Sequence, residues 1–299
     1  MKLAFPVSTT LLILTFASPW GVASEGPAQT EIGVLTLHGV GSHQQSEHFD
    51  AKLREVLQEK AGENVRIAVK TIYYHGESRG RQAELWKEYD RLEDEVRGSL
   101  DHKMIRRLML ATVGDALAYG HNPNEKNSFY RGAHEKVRNA IDELEAELGD
   151  NCVVVVVAHS LGCKVIFDYL CDAQAGRGIW EGEESPSEFR KLANLRLLIT
   201  TGCNIPFFES AVGGADQRFF RVNKDFQWIN FYDRDDLLGW PLRPLGGRFA
   251  EIVQDEERNK VGSLLTSHVK YWKHDELNEE IADKVLELVE PRTTPGKKE

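Results

Sequence analysis

The chain has 299 residues, with 37 Lys+Arg against 47 Asp+Glu, a formal net charge of -10 and 41% hydrophobic residues. This ordinary globular mix excludes a disordered tail protein, a collagen-like chain and a multi-span membrane protein. The acidic balance argues against nucleic acid as a partner, because phosphate binding needs clustered Lys and Arg.

Residues 1–24 read MKLAFPVSTTLLILTFASPWGVAS. Lys2 precedes an apolar run from Val7 to Ala17, and the small residues Gly21, Ala23 and Ser24 follow. This is the pattern of a secretory signal peptide cut after Ala23 or Ser24. The run is shorter than the roughly 20 residues of a membrane span. Export to the periplasm or medium through a cleaved leader is the expectation, with no stable span left after cleavage; an uncleaved anchor is the alternative. Export permits disulfides. The four cysteines, Cys152, Cys163, Cys171 and Cys203, are read as buried free thiols acting as small hydrophobes. A Cys152–Cys203 bridge is left open without being the expectation. No Cys/His cluster has zinc spacing. The recurrence of His38, His43 and His48 fits no single face of a helix or strand, so no metal is expected.

The mature chain alternates strand and helix signals. Ile32–Leu37 is apolar and β-branched, a strand. Phe49–Lys60 carries Leu53, Val56 and Leu57 at helical spacing. Val65–Tyr74 is a second strand. Residues 81–118 are helical in two stretches with a break near Gly98, the first heavily charged and the second, Ile105–Leu117, apolar. Ala133–Leu148 is an amphipathic helix that Gly149 caps. Cys152–Ala158 holds five consecutive Val, a strand buried on both faces. A helix over Leu161–Cys171, a polar loop over 174–189 and strands at Leu195–Thr201 and Phe226–Tyr232 follow, with a further strand candidate at Ala250–Gln254. Leu277, Ile281, Val285 and Leu288 mark a last helix, and Pro291–Glu299 reads as a flexible tail. The expectation is one α/β domain over 25–290, with a mostly parallel sheet, helices on both faces and a helical insertion before the Val strand.

The strongest chemical signal is Ala158-His159-Ser160-Leu161-Gly162, between the Val strand and the next helix. A serine in a sharp strand-to-helix turn is a nucleophile elbow. Small residues are needed two before and two after it, here Ala158 and Gly162. The turn lifts the hydroxyl above the sheet and sets the next N–H at a helix N-terminus, where it can stabilise an oxyanion. The bland reading is a serine N-cap. A nucleophilic serine needs a base, and the base an orienting acid. Behind the strand Phe226–Tyr232 stand Asp233, Asp235 and Asp236. Asp236 is the favoured acid, with Asp233 suited to bracing the loop. His268 is the favoured base, with His274 in reserve. After the first strand, Leu37-His38-Gly39-Val40-Gly41 can curl so that the Val40 N–H faces the serine beside that of Leu161, with Gly39 and Gly41 supplying unusual dihedrals.

These segments, LHGVG at 37–41, AHSLG at 158–162, WINFYDRDDLLGWPL at 228–242 and SHVKYW at 267–272, resemble the α/β-hydrolase superfamily, most of all its serine esterase and lipase-type branches. The resemblance covers roughly residues 31–290. Ala158 stands where the family's G-x-S-x-G has its first glycine. The resemblance implies Ser160 as nucleophile, Asp236 as acid, His268 as base, Val40 and Leu161 as backbone donors, no cofactor, and a small-molecule or lipid ester as substrate. A catalytically silent binding protein and an acyltransferase share the same residues and remain open. The apolar Ile105–Leu117 helix is expected to pack on the sheet, with a lid over an acyl site as the alternative. Pro206-Phe207-Phe208 falls on the face where ligands bind in such sheets.

Overall fold

The structure is a computed structural model that describes residues 30–39, 49–74, 77–96, 103–120, 124–214, 218–258, 261–262 and 266–289. Six strands form one sheet: β1 (Thr30–Leu37), β2 (Val65–Ile72), β3 (Val153–His159), β4 (Leu195–Thr201), β5 (Gln227–Tyr232) and β6 (Val253–Glu257). Their order across the sheet is β2-β1-β3-β4-β5-β6, and every pairing is parallel. The chain winds outward from β1 to β2, then crosses back to lay β3 on the other side of β1. The carboxyl ends of β1 and β3 therefore diverge at a topological switch point, where such sheets bind ligands.

The Val run explains the centre of the sheet. Val154 and Val156 point into one apolar layer, Val155 and Val157 into the other, and all four are fully buried. The first layer is covered by α4 (Phe129–Leu148), through Val137, Ile141 and Leu144, and by α5 (Leu161–Ala175). The second is covered by α1 (Ala51–Lys60), through Leu53, Val56 and Leu57, and by α8 (Asp275–Leu286), through Leu277, Ile281 and Val285. At roughly 25 cal/mol per Å² of apolar surface, these two layers supply most of the folding drive.

The helices differ from the sequence reading at a few ends. α4 begins four residues earlier than Ala133, because the Ser128 hydroxyl accepts the Arg131 N–H and caps it. Gly149 closes it with φ 80°. The insertion comprises α2 (Glu77–Val96) and α3 (Lys103–Gly120); the expected break at Gly98 lies outside the described residues. α3 packs chiefly on α2 and α4 rather than on the sheet. Gln82 donates to Asp115 across the α2–α3 contact at 2.8 Å, and Met109, Val113 and Leu117 stay exposed. A short helix α6 (Ile205–Val212), unmarked in the sequence, follows β4 with Pro206 in its first turn.

The strand expected at Ala250–Gln254 is corrected. Residues Gly247–Ile252 form a helix, α7, and β6 starts only at Val253. Gly246, at φ 77°, turns the chain into that helix and Phe249 buries from it. β6 reads VQDEE and looks unlike a strand because its acids serve the backbone. Asp255 accepts the N–H groups of Leu242 and Arg243 and the amide of Asn230.

All four cysteines are free and buried. Cys152 precedes β3 and Cys203 follows β4, so those two lie at opposite ends of a parallel strand pair and cannot bridge. No helix among the described residues is long and apolar enough to cross a membrane.

Candidate active site

The turn after β3 has the backbone of an elbow. Ser160 sits at φ 53°, ψ -122°, a strained conformation for a residue with a side chain. It is held there from both sides: its N–H donates to the Thr201 carbonyl at 3.0 Å, and its carbonyl accepts the Cys163 N–H at 3.0 Å. The serine hydroxyl makes no N-cap bond to its helix. The cap reading is thereby set aside, and the hydroxyl goes elsewhere.

It goes to His268. Ser160 Oγ stands 2.8 Å from His268 Nε2, and His268 Nδ1 stands 3.0 Å from each oxygen of Asp236. An ionised carboxylate only accepts, so Nδ1 carries the proton and donates it. Neutral His268 then presents a bare Nε2 lone pair to the Ser160 hydroxyl. All three side chains are buried. Burial works against the Asp236 charge, yet the hydrogen bonds from His268 and the Leu238 N–H prevail and hold this carboxyl below the usual carboxylate value. The Leu238 N–H reaches Asp236 Oδ1 at 2.9 Å.

The rival acids and base are occupied differently. Asp233 braces the loop, accepting the N–H groups of Asp235 and Val261 at 2.9 Å each. Asp235 is exposed. His274 caps α8, its ring accepting the Leu277 N–H.

The oxyanion side is described up to Gly39; Val40 and Gly41 lie outside the described residues. The Leu161 N–H opens α5, where first-turn N–H groups have no partner within the helix. Gly39 and Gly162 earn their places by close approach. A Cβ on Gly39 would fall 2.5 Å from Ser160 Cβ, and one on Gly162 would fall 2.7 Å from the His38 carbonyl oxygen. His38 stacks on Tyr74 with ring centroids 4.8 Å apart, its Nδ1–H donates to the Gly39 carbonyl at 2.6 Å, and the Tyr74 hydroxyl donates to the His38 carbonyl. His159 hangs its Nδ1–H on the Thr201 carbonyl at 3.0 Å, and burial, with His268 nearby, drops its pKa to about 3.

Two supports escaped the sequence reading. Gly202, at φ 53°, leaves room that a Cβ would take from His159, Asp236 and His268 together. Thr201 anchors both Ser160 and His159. Their only sequence signal was a glycine directly after a buried strand. Of the aromatic segment after β4, Phe207 meets Trp240 edge-on at 5.8 Å and Phe208 packs on the core beneath. A cavity of about 270 Å³ on another flank of α5 is lined by Tyr119, Tyr130, Lys164, Asp168, Phe208 and Arg218, and no triad residue reaches it. No metal-binding cluster occurs among the described residues.

Parallel sheet, crossover and elbow together give the α/β architecture that the sequence resemblance implies. In overall shape the chain is similar to several solved structures, all at low identity. Est1E of Butyrivibrio proteoclasticus is 10% identical, with 87% of this chain and 89% of that one covered and a TM-score of 0.45. A lipase/esterase of Lactobacillus plantarum is 8% identical over 92% and 90%, TM-score 0.44. The peroxisomal α/β-hydrolase Lpx1 of Saccharomyces cerevisiae is 13% identical over 87% and 78%, TM-score 0.43. The sequence matches no protein-family model and no curated protein. At these scores the functional reading rests on the geometry of the site itself.

Proposed function

We propose that this protein is a serine hydrolase of carboxylic esters, acting outside the cytoplasm after loss of residues 1–24. The observation that carries the reading is the continuous relay Asp236–His268–Ser160 at 3.0 and 2.8 Å, on a serine held at φ 53°. Ser160 Oγ attacks the ester carbonyl while His268 Nε2 takes its proton. Asp236 holds the Nδ1–H tautomer and offsets the charge that forms on the ring. The oxyanion is met by the Leu161 N–H, with Val40 as its partner donor. His268 returns the proton to the leaving alcohol, and water repeats the cycle on the acyl-enzyme. The export reading is supported by the leader pattern at 1–24.

The test is fluorophosphonate labelling joined to a screen of p-nitrophenyl esters of graded chain length. Label on Ser160 together with turnover, both lost in Ser160→Ala, is the expected result. Labelling without turnover of any ester would turn the reading toward a silent binding protein. Turnover in Ser160→Ala within tenfold of the parent would end the nucleophile assignment, since loss of a triad member costs orders of magnitude.

A further inference from the structure

His159, next to the nucleophile in sequence, is built into the site more tightly than an elbow requires. Its Nδ1–H is committed to the Thr201 carbonyl at 3.0 Å, with the Thr201 hydroxyl at 3.1 Å. Two of its ring carbons lie against the two glycines that crowd the triad. A Cβ on Gly39 would stand 3.0 Å from His159 Cδ2, and one on Gly202 would stand 3.0 Å from His159 Cε1. The ring packs beside that of His268 at 5.0 Å between centroids and beside Tyr271 at 5.6 Å. The same hypothetical Gly202 Cβ would be 3.2 Å from His268 Nδ1 and 3.1 Å from Asp236 Oδ2. One ring thus fills the space between the serine side and the acid side of the relay.

We propose that His159 is a positioning residue that fixes the ring plane of His268, so that its two nitrogens stay on Asp236 and Ser160 at once. The inference rests on the triad reading given above. Two properties of an imidazole are needed here. One is a flat ring to pack against His268; the other is an N–H at the Nδ1 position to hang that ring from Thr201. Phe supplies the first and Asn the second, and only His supplies both. The titratable groups facing His159 are His268, Asp236, His38 and Tyr271. Burial keeps His159 neutral, so the imidazolium that forms on His268 during turnover has no cation beside it. A charged neighbour at 5 Å would oppose that proton transfer.

The experiment compares His159→Phe, His159→Asn and Ser160→Ala with the parent, using one p-nitrophenyl ester. Circular dichroism and thermal melting first establish that each variant is folded. Both His159 variants should lose roughly ten- to a hundredfold in kcat, the scale of a small misplacement of a catalytic group, while KM stays within about twofold. A purely structural role would lower melting temperature and leave kcat per folded molecule unmoved. Parent kcat in a folded His159→Phe or His159→Asn, with Ser160→Ala inactive, would overturn this inference and leave the triad standing. An active Ser160→Ala would remove the triad reading itself.

Discussion

Gly39 lies against Ser160 so closely that a single added methyl carbon would sit 2.5 Å from the serine Cβ and 3.1 Å from its Oγ. No pair of non-bonded carbons tolerates the first distance, and the obstacle is the nucleophile's own stem rather than a flexible side-chain end. Gly39→Ala must therefore push apart the ends of β1 and β3. The expected outcome is a loss of at least about tenfold in kcat/KM and a destabilisation of about 1–3 kcal/mol, the usual cost of overpacking. Steady-state kinetics and urea unfolding measure the two together. Parent-like values in both would mean that this loop does not sit over the serine as described.

Asp236 and Asp233 separate by function. Asp236→Asn keeps the shape but lets the amide disfavour the Nδ1–H tautomer of His268, and kcat should fall by about three to four orders of magnitude with little change in melting temperature. Asp233→Asn removes charge from a carboxylate that holds the Asp235 and Val261 N–H groups. It should cost stability first, about 1–3 kcal/mol, and kcat far less. If Asp233→Asn were the more damaging to kcat, the acid would be misassigned.

Stability should fall on acidification because two histidines are buried neutral. Burial lowers His134 from 6.5 to about 4 and His159 to about 3. Between 6.5 and those values, the unfolded chain binds protons that the folded one refuses. Folding is therefore fully favoured above the unfolded value and weakens as pH drops toward the folded ones, by up to about 1.4 kcal/mol per pH unit for each histidine. Urea unfolding between about pH 4.5 and 7 gives the slope. In His134→Gln, which leaves the Tyr119 hydroxyl a partner in place of the ring nitrogen, that slope should become shallower by one proton. An unchanged slope would mean that His134 does not titrate on unfolding.

The thiols give a further check on the fold. Cys152, Cys163, Cys171 and Cys203 are free and buried, and burial raises Cys152 to about 11 and pushes Cys163 and Cys171 up as well. The thiolate is the reactive form. Native protein should react with a disulfide reagent far more slowly than protein in denaturant, where all four should titrate. All four lie in the layer beneath α4 and α5, so prompt labelling of any of them in the native state would show that this layer opens.

Legibility followed the range of the interactions. The Val run could only be a buried strand, and the small residues flanking Ser160 could only serve a tight turn; both signals are complete within a dozen residues. The start of β6 is not legible locally because its acids are explained by Leu242, Arg243 and Asn230, none of them nearby in the chain. The eight residues of α6 are too short a pattern to show a helical period. Thr201 and Gly202 carried no chemistry of their own and were visible only as the end of a strand.

By itself the sequence determined the alternation of strand and helix, the elbow, and the order serine, acid, histidine, since periodicity, propensity and turn chemistry are local. Only the tertiary structure decided which carboxylate faces the histidine. Asp233 and Asp236 are both buried and sit three residues apart on the same loop; what tells them apart is the fold of that loop around Gly202 and Gly239, which turns Asp236 toward His268 and Asp233 toward Val261. Ser160 and His268 are 108 residues apart. No local preference can encode a 2.8 Å contact across that separation; it exists because both cores pull the carboxyl ends of β3, β4 and β5 into one edge and the loops above them have nowhere else to pack.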